Sequence, residues 1–278
     1  MTPTLAPVRE RLATLRPKRA ATAVGKVGRL AALVPPVDID GPKVRVGMAW
    51  AALTAVAALV GPVALGLVFA VVALGAAGQA TRSWRRTDVR PYRPVAVGGA
   101  VVCALAGSAG PLAVVAAAVV AAVAAVTAQQ LRFGGRAWDA RATIAIAVLT
   151  GVGAATPALV ADQLGLVPVI VFLASVHIAD ASAFIVGSGA RSRWEGPVAA
   201  FAAVAAFAVA VAAVLVPPFR GASPWILGAI AAVAVPAGTV VATTLLGRVE
   251  APVPALRRLD GYLVTGPIWI VAARLLLG

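Results

Sequence analysis

The chain has 278 residues, 61% of them hydrophobic and 12% charged, with a formal net charge of +14. A soluble domain carries about 25% charged residues, so this composition excludes an ordinary soluble fold and points to an integral membrane protein. The apolar runs are continuous and do not alternate with polar residues, which argues against a transmembrane β-barrel.

Residues 1–45 are basic, with nine Lys/Arg. Val24, Val27, Leu30 and Leu33 recur at helical spacing with Lys26 and Arg29 between them. That pattern suits a helix lying on an anionic membrane surface; a disordered basic tail is the other reading. Pro35 and Pro36 end the segment. The early charges are not followed by a short apolar core and a small-residue cleavage site, so no cleavable signal peptide is expected.

The apolar run over 46–80 is too long for one span, at roughly 50 Å against a hydrocarbon core of about 30 Å. Gly61-Pro62 is the natural place to turn. Spans are predicted at 46–60, 63–80, 94–108, 111–128, 141–160, 165–186, 197–216, 224–246 and 262–277. The fold class is therefore an all-α polytopic bundle of about nine transmembrane helices, with residues 46–278 as one transmembrane domain after the basic segment 1–45. Loops 1–45, 81–93, 129–141, 187–195 and 247–261 hold 22 of the 24 Lys/Arg. Positive charge marks the cytoplasmic side. The expected topology is an inner or plasma membrane protein with its N-terminus in the cytoplasm and its C-terminus outside.

Cys103 and His177 are the only residues of their kinds, which excludes an intramolecular disulfide, a Cys-based metal site and a histidine zinc site. The positive charge reads first as cytoplasmic loops of a membrane protein, and nucleic acid is not an expected partner. Asp180 stands inside an apolar run, HIADASAFIVG. A carboxylate at such depth is costly and is usually kept for an ion, a proton or a ligand. On a helix, His177, Asp180 and Phe184 share a face, and Asp180 lies about 9 Å below the expected cytoplasmic end. A structural pairing of Asp180 with a neighbouring helix is the alternative, and a lone His on a helix is ordinarily a packed, hydrogen-bonded residue. Arg191, Arg193 and Glu195 follow in the next basic turn, with Trp194 as an interfacial anchor. Arginines hold phosphate in a bidentate grip; ordinary positive-inside charge is the plainer reading. The loop 247–261 carries Arg257, Arg258 and Asp260 to the same side. Two carboxylates, Asp180 and Asp260, and these arginines suit phosphoryl or nucleotidyl transfer, in which carboxylates hold Mg²⁺ and arginines clamp phosphate oxygens.

Together these residues resemble the phosphatidate cytidylyltransferase (CDP-diacylglycerol synthase) family. Its segment of the type ND-x-x-A-Y-x-x-G-R is matched by Asp180, Ala183, Phe184 and Gly187, and its K-K-T-W-E-G by Trp194, Glu195 and Gly196 after Arg191 and Arg193. The D-R-x-D part of its last signature is matched by Arg258 and Asp260, with Gly261 to Pro267 leading into the final helix. The resemblance covers the second half of the chain. It implies a membrane enzyme that transfers CMP from CTP to phosphatidate or a related lipid phosphate, with Asp180 and Asp260 catalytic and holding Mg²⁺. Arg191, Arg193, Glu195, Arg257 and Arg258 would bind substrate, and a homodimer is compatible with it. The pattern departs at four places. Arg257 replaces the first aspartate of D-R-x-D, Gly238-Thr239-Val240 stands at a G-D-L motif, Ala179 replaces the asparagine, and Glu250-Ala-Pro-Val-Pro replaces a lysine-aspartate and P-G-H-G-G run. These losses leave a second expectation open: a relative without catalysis that serves as a lipid-binding or scaffolding subunit. A transporter is a third reading, without the inverted repeat that would support it.

Overall fold

The computed structural model describes residues 43–84, 87–133, 137–188, 192, 194–214, 217–248 and 251–278. The basic segment up to residue 42, with its two readings, lies outside them. Among the described residues there are nine α-helices and no strand. They are α1 Lys43–Val60, α2 Pro62–Ser83, α3 Arg93–Ala106, α4 Pro111–Phe133, α5 Ala137–Leu164, α6 Leu166–Gly187, α7 Glu195–Val214, α8 Ser223–Thr244 and α9 Pro254–Leu277. Seven of them, α2 and α4 to α9, are long and apolar enough to cross a membrane. The chain is a multi-pass helical membrane protein. The apolar stretches Arg45–Val60 and Arg93–Ala109 are shorter, at about 24 and 25 Å. Nine transmembrane helices are expected; among the described residues there are nine helices, of which seven match a full bilayer core by length.

Four connections carry a glycine at positive φ. Gly61, Gly110, Gly165 and Gly221 have φ of 129°, 100°, 83° and 57°, a region that residues with a β-carbon rarely enter. Pro62 and Pro111 then open α2 and α4, where a missing N–H costs nothing. These four connections, with Arg220 the one cationic residue among them, mark one end of the bundle, and the connections that carry the other loop arginines mark the other, the basic end.

Packing follows small residues. A β-carbon added at Gly151 would meet Cys103 and Ala100 of α3, one at Gly153 would meet Leu263 of α9, and one at Gly228 would meet Ala208 of α7. Such close approach is how helices associate in lipid. α4 and α7 leave Val115, Val119, Val123, Val198, Phe201 and Val209 exposed, as faces turned to acyl chains require.

The start of α9 corrects the expected span. The helix begins at Pro254, eight residues before the predicted 262, so Arg257, Arg258 and Asp260 lie in its first two turns and not in a loop. Pro254 opens the helix, and Leu256, Leu259 and Leu263 are buried along one stripe. Side chains from α2 fix this end. Gln79 Oε1 accepts the Ala255 N–H at 2.9 Å, Ser83 Oγ accepts the Gly247 N–H at 3.0 Å, and Trp84 Nε1 donates to the Leu245 carbonyl at 3.0 Å. Ala255 N–H belongs to the first turn, whose donors have no partner within the helix. On the same end, buried Asp139 accepts the Arg90 N–H at 2.8 Å and Thr143 accepts the Tyr92 N–H at 2.9 Å, which ties the α2–α3 connection to α5.

Candidate functional site

α6 and α9 meet near the basic end. Gly261 is fully buried in this seam, and a β-carbon there would lie 2.8 Å from Val176 and 3.6 Å from Asp180 Oδ1. Across the other face of α9, Gly238 of α8 leaves so little room that a β-carbon would sit 2.1 Å from the Asp260 carbonyl oxygen. Two glycines thus let α6, α8 and α9 close around the two aspartates. Asp260 and Arg258 both act electrostatically on Asp180.

Asp260 is buried and fully engaged. Its Oδ1 accepts the Gly261 N–H at 2.8 Å, its Oδ2 lies 3.6 Å from Arg257 Nη1, and the Thr239 hydroxyl is within hydrogen-bonding reach. Arg257 Nη1 also donates to Thr243 Oγ1 at 3.4 Å. Asp180 and Arg258 behave differently. Both are half-buried, and among the described residues neither has a hydrogen bond or an ion pair. Arg258 Nη1 lies against α1, 3.6 Å from where a β-carbon of Gly47 would be. It acts electrostatically on His177 as well as on Asp180. His177 Nε2 is hydrogen-bonded to Thr54 Oγ1 of α1 at 2.9 Å, the packed reading of a lone histidine, though one set beside a charged pair.

The sequence-derived residues therefore divide. Asp180, Asp260, Arg257 and Arg258 come together at the basic end. Arg191 and Arg193 lie outside the described residues. Glu195 is exposed at the start of α7, and its Oε1 accepts the Ser192 N–H at 2.9 Å while Ser192 Oγ accepts the Trp194 N–H at 3.3 Å. That is a capping box, S-x-x-E, so Glu195 has a local structural partner. Trp194 is exposed, as an interfacial anchor would be. Gly196 packs on Ala183 and Gly187, which seats α7 on the end of α6.

For a divalent cation, no group of three or more His, Cys, Asp or Glu converges among the described residues. Mg²⁺ commonly takes one or two carboxylates and completes its shell with water and substrate phosphates. Asp180 suits that role as it stands. Asp260 would first have to release Arg257.

Thr54, Gly47 and Thr239 were not singled out as site residues from sequence. Thr54 carried one weak signal, a hydroxyl inside an apolar helix. Thr239 carried a better one, its place beside Gly238 at the position of an expected aspartate. Comparison of the chain with protein-family models, with curated proteins and with solved structures returned no match.

Proposed function

We propose that this membrane protein is a phosphatidate cytidylyltransferase-like enzyme, with its basic end and its site facing the cytoplasm. The observation that carries the reading is the pair Asp180 and Arg258. An acidic and a basic side chain lie half-buried within electrostatic reach of each other, and among the described residues neither has a hydrogen bond or an ion pair. Leaving two opposite charges unpaired within a helix bundle is costly. A phosphate compound carrying a cation satisfies both at once, with the cation on Asp180 and the phosphate oxygens on Arg258.

In the proposed reaction an oxygen of the lipid phosphate attacks the α-phosphorus of CTP in line. The bond from that phosphorus to the bridging oxygen breaks and pyrophosphate leaves, giving CDP-diacylglycerol. Bound Mg²⁺ would offset phosphate charge. Arg258 orients the phosphates, Arg257 holds Asp260 in place, and Arg191 and Arg193, between α6 and α7 in the sequence, add cationic charge. The lipid reaches this site laterally, since α6 and α9 are candidate membrane spans.

A second reading, binding of the lipid phosphate without transfer, is favoured by one observation. Both Asp260 oxygens are engaged, and Thr239 stands where a further carboxylate would be needed. One experiment separates the two. Purified full-length protein in detergent is given labelled CTP, phosphatidate and Mg²⁺. The enzyme reading expects labelled CDP-diacylglycerol and pyrophosphate, both lost in Asp180→Asn. Phosphatidate binding that depends on Arg258, with no CTP turnover, would establish the second reading, and absence of both would remove the site. Reporter fusions after Arg90 and Asp162 test the orientation, with Arg90 inside and Asp162 outside as the expected result.

A further inference from the structure

α1 borders the site, and its seam with the rest of the bundle is poorly satisfied. Its outer face, with Met48, Leu53, Val56 and Leu59, is exposed, as a face turned to acyl chains requires. Its inner face carries Gly47, Trp50, Thr54 and Ala57 at helical spacing. Gly47 meets Arg258, and Thr54 is hydrogen-bonded to His177. Among the described residues that is the one side-chain hydrogen bond from α1 to another helix. Trp50 is buried, and its Nε1 has no hydrogen-bond partner. Tyr262 of α9 is fully buried, and its OH is likewise unpartnered. Phe69 of α2 lies between the two rings, its centroid 5.3 Å from Trp50 and 5.1 Å from Tyr262.

These two donors stand below the cation. Trp50 is three residues past Gly47 and Tyr262 is four past Arg258, rises of about 4.5 and 6 Å from the basic end towards the interior. Tyr262 is also within electrostatic reach of Asp180. Unpaired donors are rare in protein interiors and costly in the hydrocarbon region, so a closed seam that strands two of them is weakened by both. In a diacyl lipid phosphate the ester carbonyls come next after the phosphate, past the glycerol. They accept hydrogen bonds and have none to give. An indole N–H can only donate, and a phenol O–H donates as well as accepts. The order of groups along the lipid is therefore the order along the seam, phosphate to guanidinium and then carbonyls to the two unpaired donors.

We propose that the lipid enters between α1 and α9, with its phosphate on Arg258 and its ester carbonyls on Trp50 Nε1 and Tyr262 OH, so that these two residues select a diacyl over an ether-linked lipid phosphate. The inference rests on the lipid-phosphate reading of the Asp180–Arg258 site and holds whether or not CMP is transferred. The seam is closed in this structure, so entry requires α1 to swing outward. Its link to α2 is Gly61, at a φ of 129° and with nothing within 4 Å of an added β-carbon, which leaves the hinge free. The Thr54–His177 bond and the Trp50–Phe69 contact oppose the motion, and the new bonds to the ester carbonyls offset their loss.

The test measures binding of diacyl phosphatidate and of its dialkyl ether analogue, matched in chain length, to purified full-length protein in detergent. Wild type should bind the diacyl lipid about tenfold more tightly, the worth of two neutral hydrogen bonds. Trp50→Phe and Tyr262→Phe keep a ring and remove the donor. Each should weaken diacyl binding about threefold and leave ether binding unchanged, and the double variant should bind both lipids alike. Equal binding of the two lipids by wild type, lost in Arg258→Ala, leaves the phosphate site standing and overturns this inference, because the seam then stays shut to the esters. A diacyl preference that survives in the double variant overturns it too. Wild-type protein that binds neither lipid removes the phosphate site and this inference with it. Thermal unfolding without lipid guards against variants that fold poorly. Removing an unpartnered donor should leave the midpoint at or above that of wild type. A lower midpoint in both variants means that the donors are already satisfied inside the protein, which overturns the proposal.

Discussion

Gly238→Ala examines the placement of Asp260 most directly. The new β-carbon would sit 2.1 Å from the Asp260 carbonyl oxygen, 3.1 Å from its carbonyl carbon and 3.5 Å from Gly261 Cα. Close C–H···O contacts are made at about 3.3 Å or more, so α8 and α9 must part by roughly 1.2 Å. The obstacle is backbone and cannot swing aside. A gap of 0.5–1 Å already forfeits about a quarter to a half of the dispersion energy of the atoms that line it, and overpacking of this kind costs about 1–3 kcal/mol. Alanine returns about 0.5–1 kcal/mol through helix propensity. The expected net loss is about 1–2 kcal/mol, a midpoint lower by a few degrees in a chain of this size. Gly98→Ala is the control. Nothing lies within 4 Å of its β-carbon, so the propensity gain should appear alone and raise the midpoint. The assay is thermal unfolding of the purified proteins in one detergent, with lipid-phosphate binding measured alongside, since a shift of about 1 Å at a reacting group can cost about a hundredfold. If Gly238→Ala unfolds at or above the wild-type temperature while Gly98→Ala behaves as described, α8 and α9 do not meet as stated and Asp260 loses its place in the site.

Two further outcomes follow from the same geometry. Thr239→Asp puts a third carboxylate beside Asp260, so Mn²⁺, read by its spin resonance, should bind more tightly than to wild type, and the unfolding midpoint should fall without the cation and recover with it. Unchanged Mn²⁺ affinity would mean that position 239 does not face the site. Thr54→Val keeps the shape of the side chain but strands the His177 imidazole, at a cost of about 1 kcal/mol or more; an unchanged midpoint would show that the bond between α1 and α6 contributes nothing.

The helices and turns were legible because lipid imposes a strict pattern. Every backbone group must be satisfied within its helix, so apolar runs read as helices, and only glycine or a polar loop can interrupt them. All four glycine turns fell where the runs broke. The start of α9 was misread for the same reason in reverse. Arg257, Arg258 and Asp260 read as a loop in the sequence because charge usually ends a span, yet their leucine neighbours keep helical spacing through them. Neighbouring arginines also look alike in sequence. On the helix they point about 100° apart, so Arg257 turns to Thr243 and Asp260 on one side while Arg258 turns to Gly47, His177 and Asp180 on the other. Which aspartate is tied down and which is left free depends on that rotation, and composition carries no trace of it.

That difference separates two substitutions that sequence alone treats as equivalent. Asp260→Asn removes a charge that the protein uses. The amide can still accept the Gly261 N–H, but one of its two positions now carries hydrogens, and Arg257, half-buried and 3.6 Å away, loses its counter-ion. Hydrogen bonds to charged groups are worth about 1.5–3 kcal/mol, and a stranded guanidinium adds to the loss. Asp180→Asn removes a charge that the protein does not use. Among the described residues no hydrogen bond or ion pair is broken, the repulsion from Asp260 ends, the attraction to Arg258 ends with it, and the cost of burying the carboxyl group as an anion disappears. Stability should stay level or rise. Thermal unfolding should therefore rank Asp180→Asn at or above wild type and Asp260→Asn several degrees below it, while both lose cation-dependent binding of the lipid phosphate. A residue that lowers stability and is kept is the mark of a site selected for its ligand. If Asp180→Asn proves the more damaging of the two to the fold, Asp180 is a structural residue, and the space between it and Arg258 is not a binding site.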